Sequence, residues 1–123
     1  MAKARILIVE DEPNIVESLS FILGRAGFEV DTISDGAEAL ERLRRKSFSA
    51  LVLDIMLPGM NGLDVLKAIR SDQALSSLPV IVLTAKGQAN DRRTAEAIGA
   101  NAFITKPFSN ADIVDRVSRF VGA

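Results

Sequence analysis

Leu51-Val52-Leu53-Asp54 is a short apolar run that stops on a carboxylate, near the middle of a 123-residue chain. Three other runs behave in the same way. Ile6-Leu7-Ile8-Val9 ends at Glu10-Asp11, Val80-Ile81-Val82-Leu83 ends at Thr84, and Ala102-Phe103-Ile104-Thr105 ends at Lys106. Continuous apolar runs of this length, rich in β-branched residues, read as strands of a parallel sheet buried on both faces. In such sheets ligands bind outside the carboxyl ends of the strands. Three acids, a hydroxyl and an ammonium are therefore expected to meet along one sheet edge.

The segments between these runs carry helical spacing. Pro13 suits a first helical turn, and Ile15, Leu19, Ile22 and Leu23 follow at helical intervals, with Gly24 and Gly27 at the far end. Glu29-Val30-Asp31-Thr32-Ile33 is more polar and roughly alternating, as an edge strand would be. Asp35 with Glu38 resembles a capping box, opening a helix that carries Ala37, Leu40 and Leu43. Leu57-Pro58-Gly59 has the order of a type II turn, and Asn61 then caps a helix bearing Leu63, Leu66 and Ile69. Ser109 with Asp112 caps the last helix, whose stripe is Ile113, Val117, Phe120 and Val121. The helix over 90–99 has Ile98 as its only larger apolar side chain, so loose packing and high mobility are expected there. The pattern is an α/β domain of five βα units, (βα)5. It predicts a flavodoxin-like, doubly wound, five-stranded parallel sheet in the order 2-1-3-4-5.

Composition narrows the chemistry. The chain fits one domain spanning 1–123, with no output domain expected inside it. Apolar residues make up 48% and charged residues 25%, as in ordinary globular proteins. A net charge of −1 gives no reason to expect direct nucleic-acid binding. No apolar stretch approaches the roughly 20 residues that span a bilayer, and no signal-peptide core is present, so a cytoplasmic location is expected. The chain has neither Cys nor His. Any reaction must rest on carboxylates, hydroxyls and Lys.

Three carboxylates at one edge repel one another unless a cation joins them. An all-oxygen donor set selects a hard ion, and Mg²⁺ suits it because it keeps waters and bridges to phosphate. A carboxylate beside such an ion can attack a phosphoryl group. The charge on the transferring group then needs a cation and hydrogen-bond donors. Lys106 supplies the cation, and Thr84 and the Ala85 backbone N–H supply donors. Asp54, ending the central strand, is the expected nucleophile.

With those residues in place, the chain closely resembles the receiver domain of two-component response regulators. The resemblance rests on Ile8-Val9-Glu10-Asp11-Glu12-Pro13, on 53–62 (LDIMLPGMNG), on Leu83-Thr84-Ala85 and on Lys106-Pro107-Phe108. Thr84 stands thirty and Lys106 fifty-two residues after Asp54, as the family's pattern has it. It implies that Asp54 is the phospho-acceptor, charged from a phosphohistidine on a histidine kinase or histidine phosphotransfer protein. It implies Mg²⁺ held by Asp11, Asp54 and the Met56 carbonyl, with Glu10, where many relatives carry Asp, assisting through water. Thr84 and Phe103 would form the switch, the hydroxyl moving toward the phosphoryl group and the ring turning into the space vacated. Lys106-Pro107 resembles the family's cis peptide, and Met56 and Lys86 match the positions that tune the lifetime of the phosphorylated state. The output would be a changed surface on the fourth and fifth βα units for a downstream protein target. Such a chain is not an enzyme beyond its own phosphorylation and dephosphorylation.

Plainer readings stand beside these. An acid after a strand is often a helix cap, Asp54 before Pro-Gly suits a turn, and Lys or Thr alone is usually solvated. An aromatic on an edge strand, like Phe103, is usually packing. Arg42, Arg44, Arg45 and Lys46 at a helix C-terminus complement its dipole, and Arg92 and Arg93 read as a solvated face. Among competing functions, a haloacid-dehalogenase-like phosphatase needs a second acid two residues after its nucleophile, where this chain has Met56. A flavin carrier of similar fold would meet repulsion from Glu10-Asp11-Glu12. A stand-alone receiver and one excised from a transcription factor or hybrid kinase read alike in sequence.

Overall fold

The apolar runs form one parallel sheet, and each polar stop falls at its carboxyl edge. The computed structural model describes residues 3–57, 60–85 and 89–121. In chain order the elements are β1 (Arg5–Val9), α1 (Pro13–Arg25), β2 (Glu29–Ile33), α2 (Gly36–Arg45) and β3 (Ala50–Asp54). They continue with α3 (Gly62–Ser71), β4 (Val80–Thr84), α4 (Ala89–Ile98), β5 (Ala102–Thr105) and α5 (Asn110–Val121). The sheet order is β2-β1-β3-β4-β5, all parallel, as expected from the sequence. Pro58 and Gly59 of the expected type II turn lie outside the described residues, as does Lys86.

Alternation along each strand divides the core into two layers. Leu7, Val9, Leu51 and Leu53 face α2 and α3, where Leu40, Leu43, Val65, Leu66 and Ile69 meet them. Ile6, Ile8, Ala50 and Val52 face α1 and α5, which contribute Leu19, Ile22, Leu23, Ile113 and Val117. Each such aliphatic side chain stabilises the fold by about 1.5–3 kcal/mol when fully buried. Apart from Arg5 at one end and Asp54 and Thr84 at the other, β1, β3 and β4 are apolar because helices cover both of their sides. β2, at the edge, keeps only Ile33 buried.

Helix ends follow local chemistry. Pro13 opens α1, and the Asp35, Asn61 and Ser109 side chains accept from the backbone N–H groups of Glu38, Asp64 and Asp112. Only that half of the Asp35–Glu38 capping box is formed among the described hydrogen bonds. The basic end of α2 is spent on acids: Arg42 and Lys46 pair with Asp31, Arg44 with Asp72 and Arg45 with Glu41. Ala95 is the one buried side chain described in α4, which agrees with the loose packing expected there. No described helix is long and apolar enough to cross a membrane.

At the opposite end of the sheet from the acids, Arg70 joins three segments. Its guanidinium donates to the carbonyls of Gly99, Ser76 and Leu78 and to Asn101 Oδ1, at 2.8–3.2 Å. Asn101 Oδ1 also accepts from the Val80 N–H, so the start of β4 belongs to the same network. Gly99 turns at φ +124°, a left-handed value that favours glycine, and this points its carbonyl at the guanidinium. Replacing Arg70 with Met is expected to cost about 2–3 kcal/mol, because several carbonyls lose a charged donor together. Arg70→Lys should recover less than half, since an ammonium cannot reproduce the planar fork. Urea midpoints of the three proteins measure this, and equal midpoints for native and Met variants would refute it.

Candidate functional site

Register brings the strand ends level: Val9 pairs with Leu53, Asp54 with Leu83 and Thr84 with Thr105. Glu10, Asp54, Thr84 and Lys106 therefore meet at one edge without any long-range bending of the chain. Gly62, at the start of α3, lies against the Asp54 carbonyl and donates its N–H to Ile55 at 2.9 Å. A Cβ there would overlap the Asp54 carbonyl oxygen, so only glycine lets α3 begin this close to the end of β3.

Asp54 is buried, and both of its oxygens are held. Oδ1 accepts from the Met56 N–H at 3.1 Å, and Oδ2 lies 3.2 Å from the Lys106 ammonium. Glu10 is just as buried. Its Oε2 accepts from the Asp11 and Glu12 N–H groups at 3.0 and 3.2 Å, which fixes the loop into α1. Its Oε1 lies 2.9 Å from Lys106 Nζ, yet makes no directional hydrogen bond. That contact is a charge attraction and leaves the oxygen's hydrogen-bonding capacity unmet. Lys106 thus bridges the two buried acids. Its backbone N–H donates to the Thr84 carbonyl at 2.7 Å, which ties the end of β5 to the end of β4.

Asp11 is exposed at the mouth of the site. Carboxylate oxygens of Glu10, Asp11 and Asp54 lie within 4.8 Å of one another. Three oxygen donors at this spacing, one of them buried and under-satisfied, fit a hard divalent cation such as Mg²⁺. Thr84 is buried at the end of β4, while Ala85 is exposed just beyond it. The Met56 side chain points into solvent, 61% exposed. The Lys106–Pro107 peptide is cis, as the resemblance implies. Beside Lys106 an open groove of about 580 Å³ runs between α1 and the β5–α5 loop, past Ile15, Phe21, Pro107 and Phe108.

Phe103 lies on β5, half-buried at the margin of the layer that holds Ala95. Arg92 is exposed, as the plain reading of a solvated face expects, but it also has a partner. Its guanidinium carbon sits 4.8 Å from the centre of the Phe103 ring, a cation–π contact. Sequence reasoning also passed over Gly62. A glycine directly after a helix-capping Asn, eight residues beyond Asp54, was the available signal.

Burial, and then the close approach and charge of the Asp54 carboxylate, push the Glu10 carboxyl well above the usual carboxylate range, to about 7. For Lys106, burial acts downward, but its contact with Glu10 and the charge of Asp54 outweigh it and hold the ammonium above its ordinary value. Glu10 therefore binds its proton more tightly in the folded chain than in the unfolded one. The stability this contributes is fully present below about pH 4.5 and is lost as pH rises to about 7. In metal-free buffer, the native chain should lose on the order of 2–3 kcal/mol relative to Glu10→Gln across that window. Urea unfolding of both proteins at several pH values gives the difference; parallel pH curves would remove Glu10 as its source.

A sequence model described as the response regulator receiver domain matches residues 6–118. The sensory transduction protein RegX3 of Mycolicibacterium smegmatis is 40% identical over 112 residues, which cover 91% of this chain and 48% of that protein. The chain thus spans about half the length of the curated relatives it matches. A crystal structure of a putative response regulator from Chloroflexus aurantiacus superposes with a TM-score of 0.95 at 32% identity, covering 99% of this chain and 100% of that one. The receiver domain of a sensor histidine kinase from Pseudomonas aeruginosa, with a magnesium ion coordinated in its active-site cleft, gives 0.91 at 30% identity. That match covers 99% of this chain and 100% of the other.

Proposed function

This chain belongs to the response regulator receiver domain family of two-component systems, and on that premise we propose that Asp54 is its phospho-acceptor. The observation that carries the reading is the single ammonium of Lys106 lying within 3.2 Å of both buried acids, Asp54 and Glu10, at the carboxyl edge of the sheet. A carboxylate oxygen of Asp54 attacks the phosphorus of a phosphohistidine on a histidine kinase or phosphotransfer protein. The P–N bond breaks, its electron pair returns to the donor imidazole, and an acyl phosphate remains on Asp54. The charge on the phosphoryl oxygens is met by Lys106, the Thr84 hydroxyl and the Ala85 N–H. The groove beside Lys106, with Phe21 63% exposed on its wall, offers the donor protein an apolar surface next to the acceptor.

Glu10, Asp11, Asp54 and the Met56 carbonyl are the groups that would hold Mg²⁺. When bound, the ion neutralises the acids and the equatorial oxygens of the phosphoryl group. The chain's own part is positioning: the Met56 N–H and Lys106 fix the plane of the Asp54 carboxylate before any donor arrives. Phosphorylation then draws the Thr84 hydroxyl toward the new phosphoryl group and lets the Phe103 ring turn inward, which alters the surface of α4, β5 and α5 for a downstream protein. Met56 and Lys86 set how readily water reaches the acyl phosphate. The chain acts on no substrate other than its own Asp54. A phosphatase reading is disfavoured, because the place for a second acid holds an exposed Met56 that cannot transfer a proton.

Intact mass after incubation with acetyl phosphate tests the assignment. A single phosphoryl adduct is expected with Mg²⁺, at most a trace after chelation with EDTA, and none in Asp54→Asn. An adduct that persists in Asp54→Asn would sink the assignment of the acceptor, and one indifferent to EDTA would sink the metal requirement.

A further inference from the structure

The half of α4 nearest the acids has little to hold it. Ala95 is the only buried side chain described in the helix, and the residues before it are exposed or half-exposed. Arg92 lies one turn ahead of Ala95, on the same side of the helix. Among the described residues no carboxylate pairs with its guanidinium, which rests instead over the face of the Phe103 ring at 4.8 Å. Phe103 in turn belongs to β5, a strand that pairs on one side only, through Val82. One cation–π contact therefore ties an under-packed helix to an edge strand.

We propose that Arg92 is a latch that holds Phe103 in the half-buried position it has here, the outward state of the proposed switch, and so raises the threshold for switching. The inference rests on the reading of Phe103 as the switch aromatic. A ring that turns inward leaves the guanidinium without its partner, so the contact stabilises only the outward state. A contact made in one state and absent in the other shifts the equilibrium between them by its own strength. Ligands that favour the inward state then bind more weakly by the same factor. Arg92 is a positioning residue: it acts through Phe103 and touches none of the reacting groups. A solvated charge at the same place would leave the equilibrium unchanged.

The test uses the 123-residue chain labelled with 4-fluorophenylalanine. Its six Phe residues give six fluorine resonances, with Phe103 assigned from Phe103→Leu. Beryllofluoride with Mg²⁺ serves as the phosphoryl probe. Arg92→Gln removes the charge and the guanidinium while keeping a shorter polar side chain, Arg92→Lys keeps a cation, and Arg93→Gln removes a neighbouring charge. Beryllofluoride is expected to bind Arg92→Gln about two- to five-fold more tightly than native, the size of one half-exposed cation–π contact. In that variant the Phe103 resonance should already be displaced toward its bound position before the probe is added. Arg92→Lys should fall close to native, and Arg93→Gln should match it. Native-like affinity in Arg92→Gln, with Phe103 still shifting at saturation, would overturn the latch and leave the switch standing. A Phe103 resonance unmoved in native protein whose bound-probe signal is saturated would overturn the switch and the latch with it. A native chain that gives no bound-probe signal would instead fail the acceptor site itself.

Discussion

Two acids buried at the edge of an apolar sheet repel each other when both are ionised, and Lys106, lying against both, offsets only part of that cost. It reaches Glu10 at 2.9 Å and Asp54 at 3.2 Å from the end of β5. Desolvation would drive each of these groups toward its neutral form if it stood alone. Together they form a network in which Glu10 holds its proton unusually tightly and the ammonium is stabilised. The sheet order follows the same constraint. Only with β1 beside β3, and β4 and β5 next in line, do these side chains share an edge.

The rest of the molecule divides unequally around that edge. On one face α1 and α5 bury Leu19, Leu23, Ile113 and Val117 completely. On the other, α2 and α3 are held by aliphatic stripes, whereas α4 contributes little beyond Ala95. Rigidity is thus concentrated around the carboxylates, and weak packing lies over β5. In the proposed function, a phosphoryl group on Asp54 would add charge at the well-packed side of the sheet, and α4, with the least buried area, is the element placed to respond.

Much of this was legible in the residues. The four apolar runs, their polar stops and the helical stripes between them give five βα units, because periodicity and burial impose the same pattern at every element. The helix caps at Asp35, Asn61 and Ser109 were legible for a local reason: each bonds to the backbone three residues ahead. The site residues stood out because polar groups at the ends of buried strands have nowhere else to point. Arg70 and Arg92 were not legible. Nothing near either residue in the chain shows that one will fork onto Gly99 and the other will cover Phe103.

The sequence by itself determined the fold class, the strand order consistent with right-handed crossovers and the set of groups at the carboxyl edge. Each of these follows from local pattern and from general limits on chain connection. Tertiary structure alone decided which oxygen faces which donor. It left Asp11 exposed while burying Glu10, spread one ammonium over two acids, and set the Arg92 guanidinium on the Phe103 ring. Such contacts join elements far apart in the chain, and they depend on register, helix rotation and side-chain torsions that no local pattern specifies.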